Sequence, residues 1–254
     1  MPKIKFSLLS IIGGLTLLSS SAYAEVDAEV SYILNTLLFL IGGFLVMWMA
    51  AGFAMLESGL VTSKSVATIA AKNIGLYSIA GLMFWLVGYN LAYGIPEGGF
   101  IGSFLPWSDA SAVDTGYSDG SDWFFQMVFC ATTCSIVSGT LAERIKIWPF
   151  FLFCAILAGV IYPIEMGWQW GGGHLAAAGF SDFAGSTLVH SAGAAAALAG
   201  ALLLGPRLGR FTDSGEAAPM APFASSSIPL ATLGVFILWM GWFGFNGGSQ
   251  LAMG

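Results

Sequence analysis

One imidazole, His190, lies inside a run of small apolar residues, Phe183–Leu204. An ionisable group among Ala, Gly, Leu and Val is costly unless it faces a cavity or a partner, and in a membrane span it points to function. Aromatic residues recur in the chain with it. Phe125 and Phe129 are four apart and share a helix face. Phe245 and Ser249 lie in the last apolar span, and Trp170 heads a Gly-rich stretch too flexible for a helix interior. Such a set has a chemistry. Aromatic faces attract a desolvated cation by about 2 kcal/mol. A hydroxyl can accept a hydrogen bond from that cation. A neutral imidazole behind a phenyl plug can accept a proton or a hydrogen bond from a small polar cargo. Each residue also has a plainer reading. Phe125, Phe129 and Phe245 can be packing, Trp170 an interfacial anchor, and Asp182 the N-cap of the span that carries His190. His174, in the Gly-rich loop, is expected to be solvated.

The elements that must position these residues are membrane helices. The chain has 254 residues, 57% hydrophobic and only 9% charged, against roughly 25% charged in a soluble domain. No soluble domain is visible. Six apolar spans are expected at Tyr32–Leu56, Ile74–Tyr93, Trp123–Leu141, Ile147–Met166, Phe183–Leu204 and Ile228–Met253. Each is near the roughly 20 residues that a crossing helix needs. Tyr32, Tyr93, Trp123 and Trp148 fall near their ends, as interfacial anchors do. The spans are rich in small residues, densest at Gly193–Gly205, which lets helices approach closely.

Ahead of the spans, Lys3 and Lys5, the apolar Phe6–Leu18 and Ala22-Tyr23-Ala24 read as a signal peptide over residues 1–24. The mature segment, 25–254, then starts outside. Charge agrees. Lys64, Lys72, Arg144, Lys146, Arg207 and Arg210 are all placed in the loops after spans one, three and five, which puts those loops in the cytoplasm. The alternate loops carry Glu97, Asp109, Asp114, Asp119, Asp122, Glu165 and Asp182 and no Lys or Arg. An acidic outer rim can concentrate cations, and ordinary solvated loop acids would look the same. Glu57 and Glu165 are assigned no part in transport. Cys130, Cys134 and Cys154 have no metal or C-x-x-C spacing and read as small buried hydrophobes. No metal or cofactor site is expected.

Depth follows from this topology. At 1.5 Å per residue, Phe129 lies about 9 Å, His190 about 10 Å, Phe245 about 12 Å and Ser249 about 6 Å below the outer surface. Trp170 sits in the loop above. The five are therefore at compatible depths.

The chain resembles the Amt/Mep/Rh superfamily of ammonium transporters. The resemblance rests on GFAMLESGLVTSK at 52–64, FFQMVF at 124–129, SGTLAERIK at 138–146, WGGG at 170–173, DFAGSTLVH at 182–190 and GWFGFNGGS at 241–249. It implies an all-α polytopic membrane fold of eleven helices with an inverted repeat. Six of these helices, the first repeat plus one, are expected here, and the chain stops at Gly254. The same resemblance implies that Trp170, Phe129 and Ser249, with Phe125 beside them, form an outer site recruiting ammonium. Asp182 would support that site, Phe129 and Phe245 would be the gate, and His190 would be the first of two pore histidines. A homotrimer in the inner or plasma membrane is implied. A PII-type regulator is a partner open to the full-length protein only, and no nucleic acid is expected.

The activity expected is ammonium uptake, with ammonia crossing an apolar pore after deprotonation near His190. The rival is an ammonium sensor signalling through a partner or a fused domain. An enzyme is disfavoured, because one His without a nucleophile–base pair or metal cluster offers little chemistry. The orientation has a direct check. A cysteine replacing Ser111, in the loop 95–122, should react with a membrane-impermeant thiol reagent in intact cells; labelling only after lysis would reverse the topology.

Overall fold

The computed structural model describes residues 27–253, apart from 111 and 220–222. The expected signal peptide and Ser111 lie outside the described residues. Within them the chain is helical, with one isolated antiparallel bridge between Phe211 and Ala217. Six helices are long and apolar enough to cross a membrane: α1 Ala28–Leu60, α2 Ser63–Tyr93, α3 Asp119–Leu141, α4 Ile147–Ala177, α5 Ser186–Leu204 and α6 Ile228–Gly248. Six spans were expected and six are present, with different ends. α2 begins eleven residues before the expected Ile74. α4 runs past Met166 to Gln169, breaks at Trp170–Gly173 and resumes for one turn to Ala177. α6 stops at Gly248 instead of Met253.

α3 is the centre of the bundle. In its apolar stretch 78% of residues are buried, against 22–39% in the other five spans. The outer helices instead present apolar side chains outward: Leu203, Trp148 and Phe243 are 87%, 76% and 72% exposed. That is the arrangement expected when lipid is the solvent. The most extensive pairing is α1 with α6, and glycines make it. A Cβ on Gly244 would sit 2.5 Å from the Gly42 carbonyl oxygen, and one on Gly234 would sit 2.5 Å from the Leu56 nitrogen. Backbone meets backbone, the packing that replaces the hydrophobic effect inside a bilayer. Three spans carry a wide π turn, at Phe84–Gly88 in α2, Leu157–Ile161 in α4 and Ser186–Ser191 in α5. Such turns occur frequently at functional sites.

The early start of α2 corrects the placement of Lys72. It is no loop cation; it lies within α2, 4% exposed. Its Nζ is 3.0 Å from Glu57 Oε2 on α1 and donates to the Ser138 carbonyl on α3 at 2.7 Å. The ammonium also lies 5.0 Å from the Phe150 ring centroid. Glu57 Oε2 accepts further bonds from the Ser138 hydroxyl at 2.9 Å and the Asn73 amide at 3.3 Å. Compensated in this way, a lysine can continue a span that its hydropathy alone would end.

Among the described residues, the other basic side chains, Lys64, Arg144, Lys146, Arg207 and Arg210, belong to the connections at one end of the bundle. There Glu143, held at φ 61°, ties three connections together. Its Oε1 accepts from the Thr62 N–H (3.1 Å), the Thr62 hydroxyl (2.5 Å) and the Ser65 hydroxyl (2.8 Å). Its Oε2 pairs with Arg207 at 2.6 Å. Burial alone would raise this carboxyl, but the bonds from Thr62, Arg207 and Ser65 outweigh it and hold it at about 2, below the usual 4.5. The stabilisation is therefore complete above about pH 4.5 and is lost as pH falls towards 2.

Removing one member of the buried pair strands the other. Lys72→Met should lower stability by about 3–5 kcal/mol, and the double variant Glu57→Leu/Lys72→Met by much less. Thermal melting of the detergent-solubilised protein measures both; equal losses would mean that charge compensation is not what holds the pair.

Candidate functional site

The site is assembled around the start of α5. The Asp182 carboxylate accepts four backbone N–H bonds: Gly185 (2.8 Å) and Ser186 (3.1 Å) on Oδ1, and Thr187 (2.7 Å) and Leu188 (2.9 Å) on Oδ2. A helix N-terminus leaves four such donors without partners, and here one side chain takes all four. Gly185 has φ +89°, a conformation that costs a residue with a side chain free energy. The π turn follows, and His190 lies in it. The His190 Nδ1 is 3.0 Å from the Gly185 carbonyl oxygen. A carbonyl only accepts, so Nδ1 carries the hydrogen and the neutral ring keeps Nε2 as its acceptor.

The backbone carbonyl of Asp182 has a separate use. It accepts from the Trp170 indole N–H at 2.7 Å, fixing the ring that follows the end of the long part of α4. From there the aromatic rings form a column. Trp170 meets Phe129 edge-to-face, with centroids 5.8 Å apart. Phe125 is 4.7 Å and Phe245 4.1 Å from the same Phe129 ring. His190 lies 5.7 Å from Phe245 on the far side. Phe125, Phe129 and Phe245 are all 1% exposed or less. Phe129 and Phe245 thus stand between Trp170 and His190 in this series of ring contacts.

Above the column is a cavity of about 340 Å³ lined by Phe125, Phe129, Trp170 and Ser249 together with Phe183 and Leu251. The structure therefore brings together Phe125, Phe129, Trp170, Ser249, Phe245 and His190. Asp182 lies between Trp170 and His190 in the chain but does not line the cavity; its carboxylate faces the α5 backbone and its carbonyl holds Trp170.

Sequence reasoning missed several residues. Trp242 stacks on His190 at 5.6 Å and 16°. It precedes Phe245 by three, so helical spacing carried that signal. Tyr89, Tyr93, Tyr117, Asp122 and Gln126 also line the cavity. Burial raises the Tyr117 phenol above its usual 10.0, and the Asp122 carboxylate adds to that, so it stays a hydroxyl donor. His174 is not simply solvated. Its ring stacks on Phe100 at 4.2 Å and meets Trp168 edge-on at 5.0 Å.

Since Asp182 satisfies a whole helix terminus, Asp182→Ala should cost at least about 2 kcal/mol, the upper end for an N-cap. Asp182→Asn should cost less, since it keeps one acceptor oxygen. Melting temperatures of the purified variants decide it, and an unchanged value for Asp182→Ala would remove the carboxylate from its structural role.

The profile of the Ammonium Transporter Family matches residues 37–254. Ammonium transporter Amt2 of Archaeoglobus fulgidus is 42% identical over 228 residues, which is 84% of this chain and 47% of that protein. An ammonium transporter of Aquifex aeolicus is 37% identical over 243 residues, 93% of this chain and 54% of that protein. Among solved structures, one titled Sensor Amt Protein superposes with a TM-score of 0.80 at 36% identity, covering 89% of this chain and 56% of its own. Candida albicans Mep2 gives a TM-score of 0.74 at 26% identity, with 90% and 51% covered. The chain thus spans about half the length of the relatives it matches. With the family profile over most of its length, and with relatives this similar, the chain belongs to the ammonium transporter family.

Proposed function

We propose that this chain forms the recruitment site, gate and first pore histidine of a protein that takes up ammonium across the inner or plasma membrane. The observation that carries the reading is the closed aromatic column, with Phe129 and Phe245 4.1 Å apart and His190 beyond them. A cation settling in the cavity meets the ring faces of Phe125, Phe129 and Trp170 and the hydroxyl of Ser249. Two phenyl rings in contact leave no room for a hydrated ion, so the cargo must shed its water before it passes. Ammonium can then give a proton to the Nε2 acceptor of His190 and go on as neutral ammonia; potassium, of similar size, has no proton to give. Selectivity comes from that difference. The Nε2 acceptor of His190, flanked by Trp242, receives the cargo on the far side. The end bearing Lys64, Arg144, Lys146, Arg207 and Arg210 faces the cytoplasm, and the start of α1 faces outward. Homotrimeric assembly, implied by the family resemblance, belongs to the same reading.

The likeness to the structure titled Sensor Amt Protein supports a second reading, in which ammonium binds in the cavity and is reported to a partner. Flux separates the two. In proteoliposomes containing the protein at its natural length, His190→Ala should lower ammonium flux at least tenfold while the amount of inserted protein is unchanged. Flux and selectivity over potassium equal to those of the unaltered protein would make His190 a packing residue. An unaltered protein that binds ammonium and carries no flux would favour sensing.

A further inference from the structure

The residues assigned to the cavity offer a cation ring faces and one hydroxyl, but no formal charge. Asp182, the acid that the family resemblance ties to this site, is saturated by four N–H groups and lies outside the lining. One carboxylate does line the cavity, and it is Asp122. It was grouped with the loop acids, yet it stands in the first turn of α3 and is only 6% exposed. Asp122, Phe125, Gln126 and Phe129 fall at i, i+3, i+4 and i+7, so the face that presents the gate phenylalanine also presents the carboxylate. The spacing places it roughly 10 Å along the axis above Phe129, at the mouth.

Its partners are all neutral. The Tyr89 hydroxyl donates to Oδ2 at 2.6 Å and the Gln126 amide to Oδ1 at 3.1 Å. Among the described residues the ion pairs formed are Lys72–Glu57 and Arg207–Glu143, and Asp122 is in neither. A carboxylate offers about four lone-pair sites, so each oxygen retains capacity after these bonds. Neutral donors orient the group without cancelling its charge, and in a half-enclosed cavity that charge is screened much less than at a surface.

We propose that Asp122 is the charge partner of the incoming cation, binding ammonium at the mouth of the aromatic cavity and holding it above Phe129. The assignment rests on the transport reading and adds to it the source of electrostatic attraction. A single charge does not distinguish monovalent cations of one size, so Asp122 governs affinity, and discrimination stays with the gate below.

The test is Asp122→Asn, which keeps the shape and an acceptor for the Tyr89 hydroxyl. In the protein at its natural length, KM for ammonium and for methylammonium should each rise about tenfold, equivalent to about 1.4 kcal/mol. The kcat should change less than twofold and the preference over potassium should not change. Glu97→Gln removes an equal charge from the exposed rim and should leave KM within twofold. The tenfold ratio should persist in high salt, where rim effects are screened. An unchanged KM in Asp122→Asn, or equal effects from Glu97→Gln, overturns the proposal. Asp122→Ser is the second variant if the amide does not accumulate, with the same rise expected. Equilibrium binding of ammonium to the purified proteins separates the two levels. Binding without flux in the unaltered protein sinks conduction, while a higher Kd in Asp122→Asn still supports the carboxylate; an equal Kd sinks it.

Discussion

Four backbone N–H groups converge on the Asp182 carboxylate, and the geometry of the site depends on that convergence. In a bilayer no water is available to satisfy the first turn of a helix, so the donors must find protein acceptors. Asp182 supplies both oxygens, which fixes where α5 begins. Gly185, at φ +89°, lets the chain turn into that position. The wide turn Ser186–Ser191 then sets the rotation of His190 toward Phe245 and Trp242. The same residue's carbonyl holds the Trp170 indole. One acidic residue thus sets the relative placement of both ends of the aromatic column, although it touches neither the cavity nor the histidine.

The rings themselves need close backbones. A Cβ on Gly42 would sit 3.1 Å from the Phe125 ring, so α1 passes against that ring with nothing between. On α6, Gly244 and Gly248 let the helix approach Gly42 and Phe125, which brings Phe245 within 4.1 Å of Phe129. Small residues here serve ring overlap as well as helix association. Through these contacts α3, the most buried span, carries Phe125 and Phe129 inward at 1% exposure, with the cavity of about 340 Å³ against one side of their rings.

Much of this was legible in the residues. A lone His in an apolar run, two Phe four apart and a Trp before three glycines survive as one cluster, because periodicity and depth are local properties of the chain. What was not legible depends on partners distant in sequence. Lys72 looked like a loop residue because its hydropathy is scored without Glu57, fifteen residues earlier, or Ser138 on another helix. Asp122 looked like a rim acid because its burial comes from Tyr89, on α2. Trp242 had the right spacing from Phe245 and was overlooked for lack of a partner to assign; that partner, His190, lies on α5. His174 was read as solvated because Phe100, its stacking partner, belongs to a separate connection.

On the proposed reading, two of the buried acids, Glu57 and Asp122, show what a cation path demands of charge. Conduction requires sites that attract enough for entry and bind weakly enough for exit. An uncompensated carboxylate deep in the bundle would hold a cation there. Glu57 is at such a depth and lines a cavity of about 460 Å³ near the basic end, but Lys72 at 3.0 Å cancels its charge. Asp122 has hydroxyl and amide partners and belongs to neither of the ion pairs formed among the described residues, and it stands at the mouth, where solvent is near. Between them the column offers only ring quadrupoles and an imidazole, which interact with ammonia far more weakly than a full charge would. On the proposed reading, attraction is confined to the entrance and nothing beyond Phe129 binds tightly enough to stop the cargo. The pairing of Lys72 with Glu57 is then a condition of flow as well as of folding, since an unpaired Glu57 would create a trap on the exit side.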